Sequence, residues 1–201
     1  MNPLEDSDAI FEYHRYMADR HGASSSLALG WRVIGDQQIR FEALAAMANL
    51  DGKTILDAGC GYGDLFAFLT ERYTLVHYYG VEQIPEMLDE AARRYANFTN
   101  TTFISRNFLG GNLPMADYVF ACGSLNYCSN DPCFIFKAIS FLFDHCKEGL
   151  GFNLLRSVST KGLLVAYDPV VILAHCATLT PHVKIVDDYA DEDYTIWMYR
   201  E

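Results

Sequence analysis

The sequence predicts a doubly wound α/β fold, in which helices cover both faces of a mostly parallel sheet. Three observations favour it. Apolar runs of strand length alternate with amphipathic helical segments from residue 53 onward, the first such run leads into a glycine-rich loop, and the first fifty residues carry helical periodicity alone. A chain of 201 residues is the size of one domain. We therefore expect a single domain over 1–201, with a helical cap at 1–50 and a core at 51–201.

The predicted cap consists of two helices, at residues 8–21 and 37–50. In the first helix, four side chains recur at helical spacing and share one stripe, namely Ile10, Tyr13, Tyr16 and Met17. The second helix ends before the Asp51-Gly52 turn. The loop between the two helices carries Trp31.

The predicted core alternates strands with helices. The strands lie at 54–59, 75–82, 101–105, 117–124 and 149–155, and the helices at 63–73, 84–98, 131–146 and 168–179. Two further β-rich runs, 182–189 and 193–200, follow with only a short acidic turn between them. One strand of this closing pair must therefore run antiparallel. A dehydrogenase-type Rossmann domain lacks this ending, which fits a seven-stranded sheet better.

The charge and hydropathy of the chain argue against several classes of partner. The net charge is −11 and the basic residues are scattered, which is atypical of nucleic-acid binding. The longest apolar stretch is interrupted by Asp168 and Pro169, so no membrane span is predicted. The acidic start of the chain does not have the pattern of a signal peptide. We expect a cytoplasmic protein that binds a small molecule, with no nucleic-acid or membrane partner.

The six cysteines are predicted to be small buried side chains, because no CxxC pattern occurs among them. Two His-Cys pairs, 145–146 and 175–176, do not change this expectation. Neighbouring helix positions point about 100° apart, so one pair cannot easily clamp a single ion. No metal site is predicted.

The stretch ILDAGCGYGDL at 55–65 is the strongest local signal for a binding site. Gly59, Gly61 and Gly63 allow positive φ and a close approach of ligand to backbone. Their GxGxG spacing matches neither the dinucleotide fingerprint GxGxxG nor the P-loop. Asp57 and Asp64 would repel a phosphate, so the loop suits a ligand that carries an ammonium or another positive group.

A second acid, Glu82, ends the next predicted strand. In nucleotide-binding sheets, a carboxylate at this position bonds the ribose hydroxyls. Either signal alone could be a tight turn or a solvated strand end. Their combination predicts a nucleoside-containing ligand at the carboxyl edge of the sheet.

Together, ILDAGCGYGD and GVEQIPEML resemble the first two motifs of class I (Rossmann-like) S-adenosylmethionine-dependent methyltransferases. The resemblance extends over roughly 50–200 and includes the closing strand pair. It implies a seven-stranded sheet in the order 3-2-1-4-5-7-6 with strand 7 antiparallel, and S-adenosylmethionine as cofactor. The family's many small-molecule enzymes imply a monomer or homodimer.

The resemblance also implies which residues contact the cofactor. Asp57 and the backbone of Gly59, Cys60, Gly61 and Gly63 would hold its amino acid part. Glu82 would bond the ribose hydroxyls, and Gln83 would lie along the adenosine. The remaining implied contacts are Asn107 and Phe108 at the adenine, Cys122 near the methionine part and Trp31 over the sulfonium. Asn107-Phe108 departs from the family's usual acidic residue followed by an apolar one, but an amide oxygen can still accept from the adenine amine.

Methyl transfer needs mainly in-line placement of the nucleophile, the methyl group and the sulfur, with a base where the acceptor must lose a proton. The candidate catalytic residues are Tyr16 from the cap and Asn126 and Tyr127 after the fourth strand of the core. Tyr13, Tyr16 and Trp31 could equally be helix packing residues. His14 and His21 are interpreted as surface or capping residues. Arg40 could reach the carboxylate of the cofactor, but it is interpreted as a solvent-facing side chain.

These observations predict S-adenosylmethionine-dependent methyl transfer to a small-molecule acceptor. Two alternatives remain at this stage. One is cyclisation or cleavage of the methionine part of the same cofactor, which needs no acceptor pocket. The other is a non-catalytic S-adenosylmethionine-binding protein, which would expose an apolar patch for a partner.

Overall fold

The computed structural model describes residues 3–22, 29, 35–158 and 162–201. A seven-stranded sheet has the order β3-β2-β1-β4-β5-β7-β6. Its strands are β1 Thr54–Ala58, β2 His77–Glu82, β3 Thr101–Ser105, β4 Ala116–Ala121, β5 Cys146–Leu155, β6 Val183–Val186 and β7 Asp193–Tyr199. All pairs are parallel except those that β7 forms with β5 and β6. The predicted fold class and strand order are confirmed.

The helices are α1 Pro3–His21, α2 Asp36–Ala45, α3 Asp64–Thr70, α4 Pro85–Arg94, α5 Phe134–Asp144 and α6 Pro169–Leu179. The predicted start of α6 is confirmed, because the side chain of Asp168 accepts a hydrogen bond from the Val170 N–H. The helix predicted to reach Cys146 ends earlier. Cys146 instead pairs with Ala116 and begins β5. No helix in the described part of the chain is both long and apolar enough to cross a membrane.

Two apolar layers enclose the sheet. On one face, α5 and α6 pack on side chains such as Val119 and Leu150. On the other face, α2 and α3 pack on Ile55, Tyr78 and Phe120. Parallel strands covered on both faces are mostly apolar, and the burial of β1 and β4 is nearly uninterrupted.

Of the two predicted cap helices, α1 lies over the carboxyl edge of the sheet, whereas α2 packs mainly on a sheet face and reaches that edge with Gln37 and Phe41. Ile10 of α1 packs there with Tyr62, Ile84 and Met87, close to the glycine loop. In contrast, α2 belongs to the layer on the sheet face, where Trp197 of β7 donates to the carbonyl of Ala43 at 3.0 Å. Phe41, Leu44 and Ala45 of α2 are buried in that layer.

Candidate functional site

A cavity of about 640 Å³ opens at the carboxyl edge of the sheet. Its lining comes from the loops that follow β1, β2, β3 and β4, and from α1 and α2. This is the position at which doubly wound sheets bind ligands, because the loops after β1 and β4 diverge to opposite faces of the sheet. Most of the site residues predicted from the sequence line this cavity: Asp57, Gly59, Cys60, Gly61, Glu82, Gln83, Asn107, Phe108, Cys122 and Tyr127.

The glycine loop has a backbone shape that other residues adopt only with strain. Gly59, Gly61 and Gly63 have φ of +83°, +54° and +77°. A Cβ at Gly59 would collide with the Cβ of Ser124, which follows β4. A Cβ at Gly63 would lie 2.6 Å from the ring of Tyr95. Gly63 begins α3 and does not line the cavity, so its role is to let the loop turn into the helix.

Glu82 fastens the glycine loop to the end of β2. Its Oε2 accepts a hydrogen bond from the Gly61 N–H at 3.0 Å, and its Oε1 accepts from the N–H groups of Gln83 and Ile84 at 2.8 and 2.9 Å. The carboxylate is buried, and burial raises its pKa in spite of these bonds. A carboxylate has about four acceptor positions, so Oε2 keeps capacity for a further donor from the cavity.

Asp57 lies below the loop, with 2% of its surface exposed. Its Oδ2 accepts a hydrogen bond from the hydroxyl of Tyr78 at 2.6 Å. Its buried Oδ1 has no hydrogen-bond partner within the described residues. Burial raises the pKa of this carboxyl group to about 7, and the nearby charges of Glu82 and Asp64 act in the same direction. A buried carboxylate in this state favours a ligand that brings a positive charge or a donor.

Asp64, the second acid beside the loop, faces away from the cavity. It accepts from Arg94 at 2.9 Å and from the amide of Gln37 at 3.2 Å. The bond to Gln37 connects the start of α3 to α2, and Gln37 itself lines the cavity.

A hydrogen bond closes the cavity on the α1 side. The Nε2 of His14 lies 2.6 Å from the hydroxyl oxygen of Tyr127, and both side chains line the cavity. Only 5% of His14 is exposed, which corrects its interpretation as a surface or capping residue. Burial and the charge of Glu82 raise the pKa of Tyr127 well above its usual range, so the tyrosine is neutral near pH 7.

Asn126 is a scaffold residue and not a cavity residue. Its Nδ2 donates to the carbonyl of Val165 at 2.8 Å, and its Oδ1 accepts from the Leu155 N–H at 3.3 Å. Tyr127 also forms an isolated bridge with Leu164. Asn126 therefore holds the segment that presents Tyr127, and it is not retained as a catalytic candidate.

Tyr16 is also not retained as a catalytic candidate, because 57% of it is exposed and its hydroxyl accepts from Arg20 at 2.8 Å. Two helical positions correspond to about 200°, so Tyr16 points away from the cavity when His14 points into it. Among the described side chains of α1, Ile10 and His14 line the cavity. Trp31 lies outside the described residues.

The β3 side of the cavity is formed by Asn107, Phe108 and Leu109. The Oδ1 of Asn107 accepts from the Leu109 N–H at 2.9 Å, which turns the loop. Cys60 and Cys122 line the opposite wall, and burial raises the pKa of both thiols. Both thiols are therefore neutral and act as small apolar groups there.

The prediction that the cysteines are buried is correct for only some of them. Cys60, Cys146 and Cys176 are buried, but Cys128 and Cys133 are exposed. Among the residues that the structure describes, no cluster of His, Cys, Asp or Glu is arranged to hold a metal ion.

Sequence reasoning missed several cavity residues, including His14, Gln37, Phe41 and Ser124. It also misplaced Arg40, which is nearly buried and forms an ion pair with Asp193 at the start of β7. No local pattern marks these side chains, because their neighbours lie on elements that are distant in the chain. Ser124 could have been found from its place just beyond β4, at the same edge as the glycine loop.

Comparisons with known proteins agree with this geometry. A family model described as a methyltransferase domain matches residues 55–149. The Mycobacterium tuberculosis protein Rv1506c, whose name places it among the methyltransferases, is 30% identical over 160 residues, which are 73% of this chain and 92% of that protein. An "Uncharacterized RNA methyltransferase" of Bacillus cereus is 38% identical over 69 residues, but these are only 15% of its length and 33% of this chain.

Among solved structures, magnesium protoporphyrin IX methyltransferase from Synechocystis PCC 6803 with bound SAM has a TM-score of 0.71. The alignment covers 100% of both chains at 17% sequence identity. At this identity the likeness concerns the fold.

Proposed function

This chain belongs to the class I S-adenosylmethionine-dependent methyltransferases, and we propose that it methylates a small molecule bound between α1 and the glycine loop. Methyl transfer from S-adenosylmethionine follows from family membership. The nature of the acceptor and the roles of individual residues are the proposal. The observation that carries it is a cavity of about 640 Å³ that extends from the glycine loop to the inner side of α1.

The residues of the cavity fit S-adenosylmethionine. This cofactor supplies an activated methyl group on a positively charged sulfur. The unpartnered Oδ1 of Asp57 suits a donor or cation such as the cofactor's ammonium group. The remaining acceptor position on Oε2 of Glu82 suits a ribose hydroxyl. Gly59 and Gly61 have positive φ, and a Cβ at either position would collide with Ser124 or Leu29, two side chains that also line the cavity.

A small acceptor is favoured by the composition of the α1 side. The described residues that line it are Ile10, His14, Leu29, Gln37 and Phe41, and the one Lys among the described lining residues of the whole cavity, Lys137, is paired with Asp131. A nucleic acid would need basic residues for its phosphates, and the net charge of −11 opposes it. The similarity to the Bacillus cereus RNA methyltransferase is weak support for an RNA acceptor, because the matched segment is 15% of the length of that protein.

Labelled S-adenosylmethionine tests the proposal directly. The purified protein would be incubated with it and with either a metabolite extract or total RNA, and the labelled products identified by mass spectrometry. We expect label in a small metabolite. Label in RNA alone would contradict a small-molecule acceptor. Accumulation of methylthioadenosine over many turnovers without an acceptor would instead indicate cleavage or cyclisation of the cofactor.

Cofactor binding has its own test. Calorimetry should detect S-adenosylhomocysteine binding at micromolar strength or better, about 8 kcal/mol, and none of NAD. Binding of NAD without S-adenosylhomocysteine would contradict the assignment of this cavity.

A further inference from the structure

We propose that His14 and Tyr127 form a proton-accepting dyad and that the acceptor is a neutral, mainly apolar molecule methylated on a hydroxyl group. This inference rests on the proposed function and assigns it a residue pair and an acceptor class. His14 belongs to α1, and Tyr127 belongs to the loop after β4. Two distant segments thus meet in a 2.6 Å hydrogen bond at the wall of the cavity.

The first argument is burial. His14 occupies an interior position on a helix whose other inward residues, such as Ile10, are apolar. A buried imidazole costs desolvation free energy unless its ring nitrogens are bonded. Leu or Phe would fill this position with a smaller desolvation penalty than His. A buried hydrogen bond between His and Tyr that faces a cavity therefore indicates a chemical role.

The second argument is the state of Tyr127. Its raised pKa makes a lasting tyrosinate unfavourable, so Tyr127 alone is a poor base near pH 7. An imidazole has an ordinary pKa of about 6.5 and accepts a proton readily in this range. A tyrosine that passes its own proton to His14 while it receives another stays neutral throughout.

The proton and electron balance of the step is complete. The acceptor oxygen forms a bond to the methyl carbon as the bond from that carbon to sulfur breaks, with its electron pair going to sulfur. The acceptor's hydroxyl proton passes to the oxygen of Tyr127, and the original Tyr127 proton passes to Nε2 of His14. The positive charge of the sulfonium is thereby replaced by that of the imidazolium.

The third argument concerns the acceptor. A carboxylate or a phosphate acceptor would already be ionised and would need no base. Besides Asp57 and Glu82 at the glycine loop, the charged residues among the described lining residues are Lys137 and Asp131, which pair with each other, so neither an anion nor an ammonium meets an uncompensated charge there. A neutral hydroxyl is the nucleophile that both needs the dyad and suits these walls.

Two phenols of different acidity test the inference without knowledge of the natural acceptor. The assay pH is chosen so that para-nitrophenol is ionised and para-methoxyphenol is not. Methyl transfer to each phenol is measured for the wild type, His14→Gln and Tyr127→Phe. His77→Gln is the control, because His77 lies outside the cavity and bonds Thr102.

We expect each dyad variant to lose about a hundredfold or more in kcat with para-methoxyphenol, the usual scale of general-base catalysis. With the ionised phenol, the loss should stay below about tenfold, since no proton has to be removed. The ratio of the two rates compares two substrates on one protein, so partial misfolding does not affect it. Tyr127→Phe keeps the ring and gives a second measurement if His14→Gln does not fold.

Equal losses with both phenols would show a packing role and overturn the dyad, as would no loss with either. A wild type that binds S-adenosylhomocysteine but methylates neither phenol would overturn the hydroxyl acceptor and leave the proposed function standing. A wild type that does not bind S-adenosylhomocysteine would overturn the proposed function itself.

Discussion

Tyr78 donates its hydroxyl proton to Oδ2 of Asp57 at 2.6 Å, directly beneath the glycine loop, and Oδ1 has no hydrogen-bond partner in the described part of the chain. β2 thus fixes the orientation of a carboxylate on β1. One oxygen is used to position the group, and the other is presented for binding.

The contribution of Asp57 to the stability of the ligand-free protein should fall as the pH rises from 3.8 to about 7. The pKa of Asp57 is raised to about 7 in the folded protein, so the unfolded chain ionises first and gains stability over this window. Burial also raises the pKa of Glu82, so this group acts on stability in the same sense as Asp57. Asp57→Asn should remove the contribution of Asp57, about a few kcal/mol, in urea unfolding at several pH values. Asp89→Asn, at an exposed position on α4, is the control.

The affinity for S-adenosylhomocysteine should change with pH in the opposite sense. Its ammonium group favours the ionised Asp57, so binding should strengthen until the pH exceeds about 7 and then level off. Calorimetry of the wild type and Asp57→Asn would measure this. An affinity with the same pH dependence in both proteins would contradict contact between Asp57 and the ammonium.

Glu82→Ala should weaken both cofactor binding and folding. Three N–H groups, those of Gly61, Gln83 and Ile84, lose their acceptor, at about 1–3 kcal/mol for each that stays unsatisfied. We expect at least tenfold weaker S-adenosylhomocysteine binding and a clear fall in melting temperature. The matched control is Glu86→Ala, since Glu86 is exposed and pairs with Arg15 at the surface. An unchanged melting temperature for Glu82→Ala would show that the loop holds its shape without this carboxylate.

Gly59→Ala and Gly52→Ala separate backbone strain from steric collision. Both glycines have positive φ, +83° and +72°, but a Cβ at Gly52 meets nothing within 4 Å. Gly52→Ala should cost about 1–2 kcal/mol of unfolding free energy, the cost of the left-handed conformation. Gly59→Ala should cost more, because its Cβ collides with Ser124. Addition of Ser124→Gly should restore part of the difference, as a double-mutant cycle would reveal.

Arg40→Met should destabilise the protein by about 3–5 kcal/mol, because it leaves the buried carboxylate of Asp193 without its cation. The corresponding change at the surface, Arg15→Met, removes an exposed partner of Glu86 and should cost about 1 kcal/mol or less. Chemical denaturation of both variants measures the two costs. Similar costs would mean that Arg40 and Asp193 are better hydrated than their burial indicates.

Local sequence features were sufficient to predict the sheet and the carboxyl edge of its first strands. The glycine loop and Glu82 lie close together in the chain, and their chemistry is set by that short segment. The closing strand pair was predicted because no helix separates its members. These signals also located the cavity residues at the carboxyl ends of β1 and β2 and just after β4.

The residues contributed by α1 and α2 could not be predicted in the same way. Helical periodicity placed Tyr16 on the apolar stripe because an aromatic ring was assumed to be buried, whereas His14 occupies that direction. Arg40 was predicted to face solvent because its partner, Asp193, is distant in the chain and becomes a neighbour only when β7 joins the sheet. The side chain that ends up buried is decided by tertiary packing and not by the helix itself.

The position of β7 has a consequence for the order of folding. β6 pairs only with β7, and β7 lies between β5 and β6, so the hairpin must insert into the sheet as a unit. Trp197 and Tyr199 of β7 then donate to carbonyl groups of Ala43 and Met47 at 3.0 and 2.9 Å. The segment that carries Gln37 and Phe41 therefore gains these two hydrogen bonds only after this late, non-local step. During synthesis, the nascent chain acquires the loop that binds the cofactor long before it can complete a catalytic chamber.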